Sequence, residues 1–162
     1  MATSLQANID FPATPDRTFL MFTSVSYAEM KCIGASDATF HIENLNQSIE
    51  VTISRRFMDI PETFKKFVGD SFQLQEHQSW QKNADGKHYA DVTITVKDKP
   101  VTVTGTITLT PQGDGARLIF NAQVSVSIPL FGGMAEGFIR DQLHGILNDE
   151  QTIGLQWLAQ NP

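Results

Sequence analysis

The stretch 92-VTITVKDKPVTVTGTITLTPQGDGARLIFNAQVSV-126 alternates apolar and polar residues through three runs, separated by Asp98-Lys99-Pro100 and Gly113-Asp114-Gly115. A period of two marks a strand with one buried face, and residues opposite each other in a ladder point to the same side of the sheet. A reversal at Asp98-Lys99 sets Val96 opposite Val101, Ile94 opposite Val103 and Val92 opposite Gly105. A second reversal at Gly113 to Gly115 is expected to set Leu109 opposite Ala116, Ile107 opposite Leu118 and Gly105 opposite Phe120. One apolar face then crosses all three strands. Thr102, Thr104, Thr106, Thr108 and Thr110 occupy the other, as suits an antiparallel sheet wetted on one side.

Outward from this core, the chain from Ala38 to Ile128 reads as successive strands, with further reversals at Asn46-Gln47 and Asp85-Gly86. Pro61 to Gly69 interrupts them with Phe64, Phe67 and Val68 at helical spacing, which predicts a short helix or turn. Nearer the amino terminus, Leu5, Ala7, Ile9 and Phe11 alternate with polar residues and predict an opening strand. Thr14, Pro15 and Asp16 then supply an N-cap, a first-turn proline and an acid matched to the helix dipole. Ser26-Tyr27-Ala28-Glu29 has capping-box spacing and predicts a second short helix ending at Gly34.

The last segment, Gly133 to Ala159, is long enough for about 40 Å of helix at 1.5 Å per residue. On a helical projection Ala135, Ile139, Leu143, Ile146, Ile153 and Trp157 share one arc, with Arg140, His144 and Asn148 away from it. The expectation is an α+β helix-grip fold: a curved antiparallel sheet of six or seven strands around a long C-terminal helix, with two short helices after the first strand. Curvature of the sheet around that helix would leave a cavity.

The 162 residues suit one compact domain, and 41% apolar with 19% charged residues excludes disordered and collagen-like classes. Twelve basic and eighteen acidic residues give a net charge of -6 without a basic block, which argues against nucleic acid and anionic membranes as main partners. No stretch approaches the ~18 apolar residues of a membrane span, so stable membrane insertion is not expected. The first ten residues lack the basic cluster and apolar run of a targeting signal, and Cys32 is the only cysteine, so an intrachain disulfide is impossible. A reducing compartment, the cytoplasm, is the simplest expectation. Asn46-Gln47-Ser48 fits the glycosylation pattern, a triplet that recurs by chance.

Several residues sharpen the outline: Arg55-Arg56, Pro61 with Phe67-Val68-Gly69-Asp70, Trp80, Pro129-Leu130-Phe131-Gly132-Gly133 with Glu136, and Glu150 with Trp157-Leu158. Together with the element order they resemble the START-like (SRPBCC) superfamily, which includes the major birch pollen allergen, phosphatidylinositol transfer proteins and polyketide cyclases. Within it the pattern is similar to one uncharacterised bacterial family. The resemblance spans most of the chain and implies a single START-like (Bet v 1-like) domain over 1–162 with a hydrophobic ligand cavity. It carries no established catalytic residues, so the candidate sites rest on this sequence alone.

Two positions break the apolar arc of the last helix: Glu150 near its centre and Gln142 near one edge. Either they orient a ligand's polar end, or Glu150 pairs with a strand residue or reaches a wet opening, since buried polar groups need partners. On the strands, Arg55 continues the inward parity of Ile49, Val51 and Ile53, and Glu76 that of Phe72, Leu74 and Trp80. An ion pair from Arg55 to Glu76 or Glu150 would be structural. Small inward residues (Ala90, Gly105, Ala116, Ala122) beside large ones (Phe120, Phe138, Trp157) either fill a core or shape a pocket. The candidate ligand contacts are Arg55, Glu76, Trp80, Val92, Ile94, Gly105, Phe120, Phe138, Gln142, Ile146 and Glu150.

His41, His77, His88 and His144 lack metal-site spacing, and no nucleophile elbow, Walker loop or paired zinc cysteines occur, so neither a metal nor a cofactor is expected. Cys32 reads as a small core residue rather than a nucleophile. Three functions stay open: a non-enzymatic carrier of a small hydrophobic or amphipathic molecule, a cyclase- or hydratase-like enzyme with Glu150 or Glu76 as a general base raised in pKa by burial, and an interaction module with a filled core. Oligomeric state is not legible.

Overall fold

A computed structural model of the chain describes residues 2–82 and 85–162. Among them, strands β1 (Ala2–Phe11), β2 (Ser36–Asn44), β3 (Ser48–Phe57), β4 (Phe72–Gln81), β5 (His88–Val96), β6 (Val101–Gln112) and β7 (Gly115–Val126) form one antiparallel sheet in the order β1-β7-β6-β5-β4-β3-β2. Helices α1 (Pro15–Phe22) and α2 (Val25–Cys32) carry the chain from one sheet edge, β1, to the other, β2. Helix α3 (Glu62–Val68) links β3 to β4, and α4 (Gly132–Gln160) ends the chain against β1, β7 and α2.

The period of two holds. Val92, Ile94, Val96, Val101, Val103, Ile107 and Leu109 are buried on the concave face, while Thr102, Thr104 and Thr106 are exposed. The β5/β6 ladder has Ile94 opposite Val103 and Val92 opposite Gly105, as expected. The β6/β7 ladder is displaced by two residues from the expected register: Leu109 faces Leu118, Ile107 faces Phe120 and Gly105 faces Ala122. Gly113, in the left-handed region at φ 57°, closes a two-residue turn with Asp114, so Pro111 and Gln112 extend the strand instead of joining the loop. A slip of two leaves every side chain on its own face, which is why the parity survives the wrong pairing.

Thr14 caps α1 as expected, its hydroxyl accepting from the Arg17 N–H at 3.2 Å. The cap of α2 is Ser24, not Ser26: Ser24 Oγ accepts from the Tyr27 N–H at 3.2 Å, and α2 starts one residue before Ser26. Ser26 has a tertiary task instead, accepting from Trp157 Nε1 at 2.8 Å and so tying α2 to the end of α4.

On α4, Ala135, Ile139, Leu143 and Trp157 are buried as the arc predicts, but Ile146 and Ile153 are only half-buried. At Gly154 α4 packs tightly on its neighbours: a Cβ there would sit 2.6 Å from the Phe11 ring. The other end of α4 is fixed by Glu136, a 2% exposed acid that accepts from the Val126 N–H at 3.1 Å and from Thr3 Oγ1 at 2.9 Å. That side chain binds the helix to both β1 and β7.

Candidate functional site

Between α4 and the sheet lies an apolar cavity of about 30 Å³. Its wall combines Val92 and Ile94 of β5, Ile107 of β6, Leu118 and Phe120 of β7, Phe22 of α1, and Leu143, Ile146 and Leu147 of α4. One side is polar, made by Glu76 and Gln78 of β4 and Glu150 of α4. Such a volume holds about two water molecules.

Behind that polar side stands a buried ion cluster. Lys31 Nζ of α2 lies 2.9 Å from Glu150 Oε1 and 3.1 Å from Glu76 Oε1. Tyr27 Oη donates to Glu150 Oε1 at 2.9 Å, Gln78 Nε2 to Glu76 Oε1 at 2.7 Å, and Trp80 Nε1 to Gln78 Oε1 at 2.8 Å. The chain of bonds therefore runs from Trp80 to Tyr27 across two strand positions and two helices. Among the described residues, all of these bonds to the two carboxylates use their Oε1 atoms.

The electrostatics favour the ordinary charge states of Glu76, Lys31 and Tyr27. Burial alone would push Glu76 up, but the charges of Lys31 and Arg55 and the hydrogen bonds from Lys31 and Gln78 outweigh it and hold its pKa below 4.5. Burial alone would lower Lys31, yet Glu150 and Glu76 raise it above 10.5 against the opposing charge of Arg55. Tyr27 is raised well above 10.0, by burial first and then by the adjacent Glu150 carboxylate. The expectation that burial would raise Glu76 is thus reversed, because two cations face it.

The structure gathers Glu76, Val92, Ile94, Phe120, Ile146 and Glu150 around the cavity. The other five candidates stand elsewhere. Trp80 is fully buried against Phe19 and Phe22. Phe138 stacks on Phe64 at 4.2 Å and anchors α3. Gln142 is half-buried on α4 and Gly105 packs against Ala122 of β7, neither in the cavity wall. Arg55, 9% exposed, lines a separate open groove of about 450 Å³ between the α2–β2 connection, the end of β3 and α4.

Lys31, Tyr27 and Gln78 were not among the sequence candidates. Gln78 was reachable, because it shares the parity of Glu76 and Trp80. Lys31 carried no signal: α2 has only eight residues, too few for a periodicity to mark a lysine as inward, and lysine is rarely buried unless paired. Among the described residues no cluster of His, Cys, Asp and Glu is placed to hold a metal. His77 bonds Glu50 and Thr52, whereas His88 stacks on Phe19 and meets Asp16 at 2.7 Å, so the two histidines do not converge. No helix among the described residues is long and apolar enough to cross a membrane.

Comparison with known proteins places this geometry. A STAR-related lipid transfer protein from Xanthomonas axonopodis shares the fold with a TM-score of 0.61 and 14% identity, over 92% of this chain and 84% of that one. Norcoclaurine synthase from Thalictrum flavum, solved with dopamine and hydroxybenzaldehyde, gives a TM-score of 0.59 and 12% identity over 100% and 89%. The fold is START-like, and it serves both a protein named for lipid transfer and an enzyme. In sequence, the uncharacterised Mycobacterium tuberculosis protein Rv0481c is 25% identical over 108 residues, which is 65% of this chain; the match spans 62% of the relative's length. Residues 6–158 match the family described as "Protein of unknown function (DUF2505)", and the chain belongs to that family.

Proposed function

We propose that the protein, acting as one domain over 1–162, binds a small hydrophobic or amphipathic molecule between the sheet and α4 and performs no chemistry on it. The observation that carries this reading is the cavity's division into an extended apolar wall and one polar end formed by Glu76, Gln78 and Glu150. Ligand pockets are typically built this way, with apolar burial supplying affinity at ~25 cal/mol per Å² and a few polar groups fixing orientation. At about 30 Å³ the cavity is smaller than any such ligand, so uptake requires side chains to move. Ile146 and Leu147 are the movable part, because both are half-buried on α4 while the strand side chains opposite them are locked in the core.

The charge states favour binding over catalysis. A lysine held as ammonium is a poor amine nucleophile, a tyrosine held as phenol donates rather than accepts a proton, and a carboxylate with lowered pKa is a weaker base. The test is titration with a fluorescent fatty acid, paired with native and denatured mass measurement of the protein as purified. Uptake by the wild type and its loss in a folded Ile146→Phe variant are expected. Equal uptake by that variant, or none by the wild type, overturns the reading.

A further inference from the structure

Arg55 is the unexplained charge of this structure. Its side chain sits on β3 on the inward parity, 9% exposed, and among the described residues it makes no hydrogen bond and no ion pair. Its Nη2 is wholly buried without a partner among the described residues, and the guanidinium carbon lies 5.6 Å from the centre of the Phe57 ring. Both carboxylates close to it are engaged by other donors: Glu76 by Lys31 and Gln78, and Glu150 by Lys31 and Tyr27. A buried guanidinium carries five donors in a fixed fork and cannot give up its charge, so leaving it unmatched is costly. An acceptor arriving from outside would supply the missing partner.

The route for it is the groove of about 450 Å³ that Arg55 lines together with Lys31, Arg56 and the Gly34-Ala35-Ser36 backbone. That volume lies within the ~300–1,000 Å³ of small-molecule sites, whereas the apolar cavity does not. Two acids, Asp59 and Asp149, also line it, but both are exposed and neither is paired with Arg55. Arg56 is occupied at 2.7 Å by Asp37. Arg55 combines burial, charge and an unpartnered nitrogen at the groove.

We infer that this groove is a binding site for an anionic oxygen group, a carboxylate or phosphate, held by the fork of the Arg55 guanidinium. Lys31 forms the partition between the two spaces, lining the groove while its carboxylate partners line the cavity. The inference therefore deepens the proposed function by assigning the polar end of an amphipathic ligand to the groove, yet the anion site stands on Arg55 whether or not the cavity opens.

Thermal-shift and calorimetric titrations with inorganic phosphate, acetate and decanoate, at constant ionic strength against chloride, test it. At least one of the three should stabilise the wild type, and Arg55→Met should weaken that anion at least tenfold while the anion-free protein melts no lower. Arg55→Lys, which keeps the charge without the fork, should bind less tightly than the wild type if the site is bidentate. Arg56→Gln, whose guanidinium is already held by Asp37, should weaken the anion less than Arg55→Met does, and Ile146→Phe should leave phosphate or acetate binding unchanged. Decanoate bound more tightly than acetate, with the excess lost in Ile146→Phe, identifies a fatty carboxylate as the source; phosphate bound alone identifies a phosphorylated ligand. No anion-specific stabilisation of the wild type, or an equal loss in Arg56→Gln, overturns the site. Decanoate bound no more tightly than acetate by the wild type would instead count against the cavity reading alone.

Discussion

Lys31 and Glu150 lie 119 positions apart in the chain, yet their side chains meet at 2.9 Å with 1% and 7% of their surfaces exposed. The pair joins α2 to α4, and the second carboxylate, Glu76, joins both to the middle of the sheet. Charges this deep stabilise little relative to a well-packed apolar cluster, because desolvation offsets the attraction, but removing one partner strands the rest. Lys31→Met should therefore cost about 3–5 kcal/mol by leaving two carboxylates uncompensated. Adding Glu76→Gln and Glu150→Gln to it should restore part of that loss. Urea denaturation of the single and triple variants checks both values.

Acid and alkali should each weaken the fold through this cluster. Glu76 has a folded pKa below its ordinary 4.5, so its contribution is complete above that value and falls away as the pH drops through the lowered one. Lys31 has a folded pKa above 10.5, so its contribution is complete below 10.5 and declines as the pH rises through the raised one. A melting profile should show a plateau between these limits with a limb on each side. Glu76→Gln should lower the plateau and flatten the acid limb; an acid limb of unchanged slope in that variant would assign it to other carboxylates.

Glu136 should matter to the register of α4 on the sheet rather than to any ligand. Its carboxylate satisfies the buried Val126 N–H and the Thr3 hydroxyl. Glu136→Ala leaves that donor unpaired, for which about 1–3 kcal/mol is expected. Amide exchange at Val126 should speed up more than exchange in the centre of β6, a contrast that a general loss of stability would not produce.

Gly154→Ala sets helix propensity against crowding. Alanine in a helix interior gains about 1 kcal/mol over glycine. Here its Cβ would lie 2.6 Å from Phe11 Cε1 and 3.1 Å from Met21 Cε, and overpacking of this kind costs about 1–3 kcal/mol. Net destabilisation is expected, whereas the same change at Gly145, where nothing lies within 4 Å, should stabilise. Parallel thermal melts of the two variants give the comparison directly.

Leu143→Ala should enlarge the cavity, since Leu143 is buried in its wall. A stability loss of about 2–5 kcal/mol is expected for such a truncation, together with tighter uptake of small apolar probes such as benzene. Probe binding no stronger than in the wild type would mean that α4 settles into the vacated space.

The alternation from Val92 to Val126, the threonine face, the Thr14 cap and the apolar arc of α4 were all legible in the chain, because each depends on neighbours within a few positions. They were enough to determine the strand-rich meander, the long closing helix and, with the quoted motifs, the START-like fold. The inward placement of Arg55, Glu76 and Glu150 was legible for the same reason: parity is a local property that survives even the two-residue slip between β6 and β7. The partner of those carboxylates was not. Lys31 reaches them only because α1 and α2 cross from one sheet edge to the other and bring a short helix over the cavity's polar end, an encounter between segments 45 and 119 positions away. The tertiary structure alone decided which charges neutralise one another and that, among the described residues, a buried nitrogen of Arg55 is left without a partner. It also decided how nearly the interior is filled, since packing volume is set by all the contacting side chains together and is encoded in none of them separately.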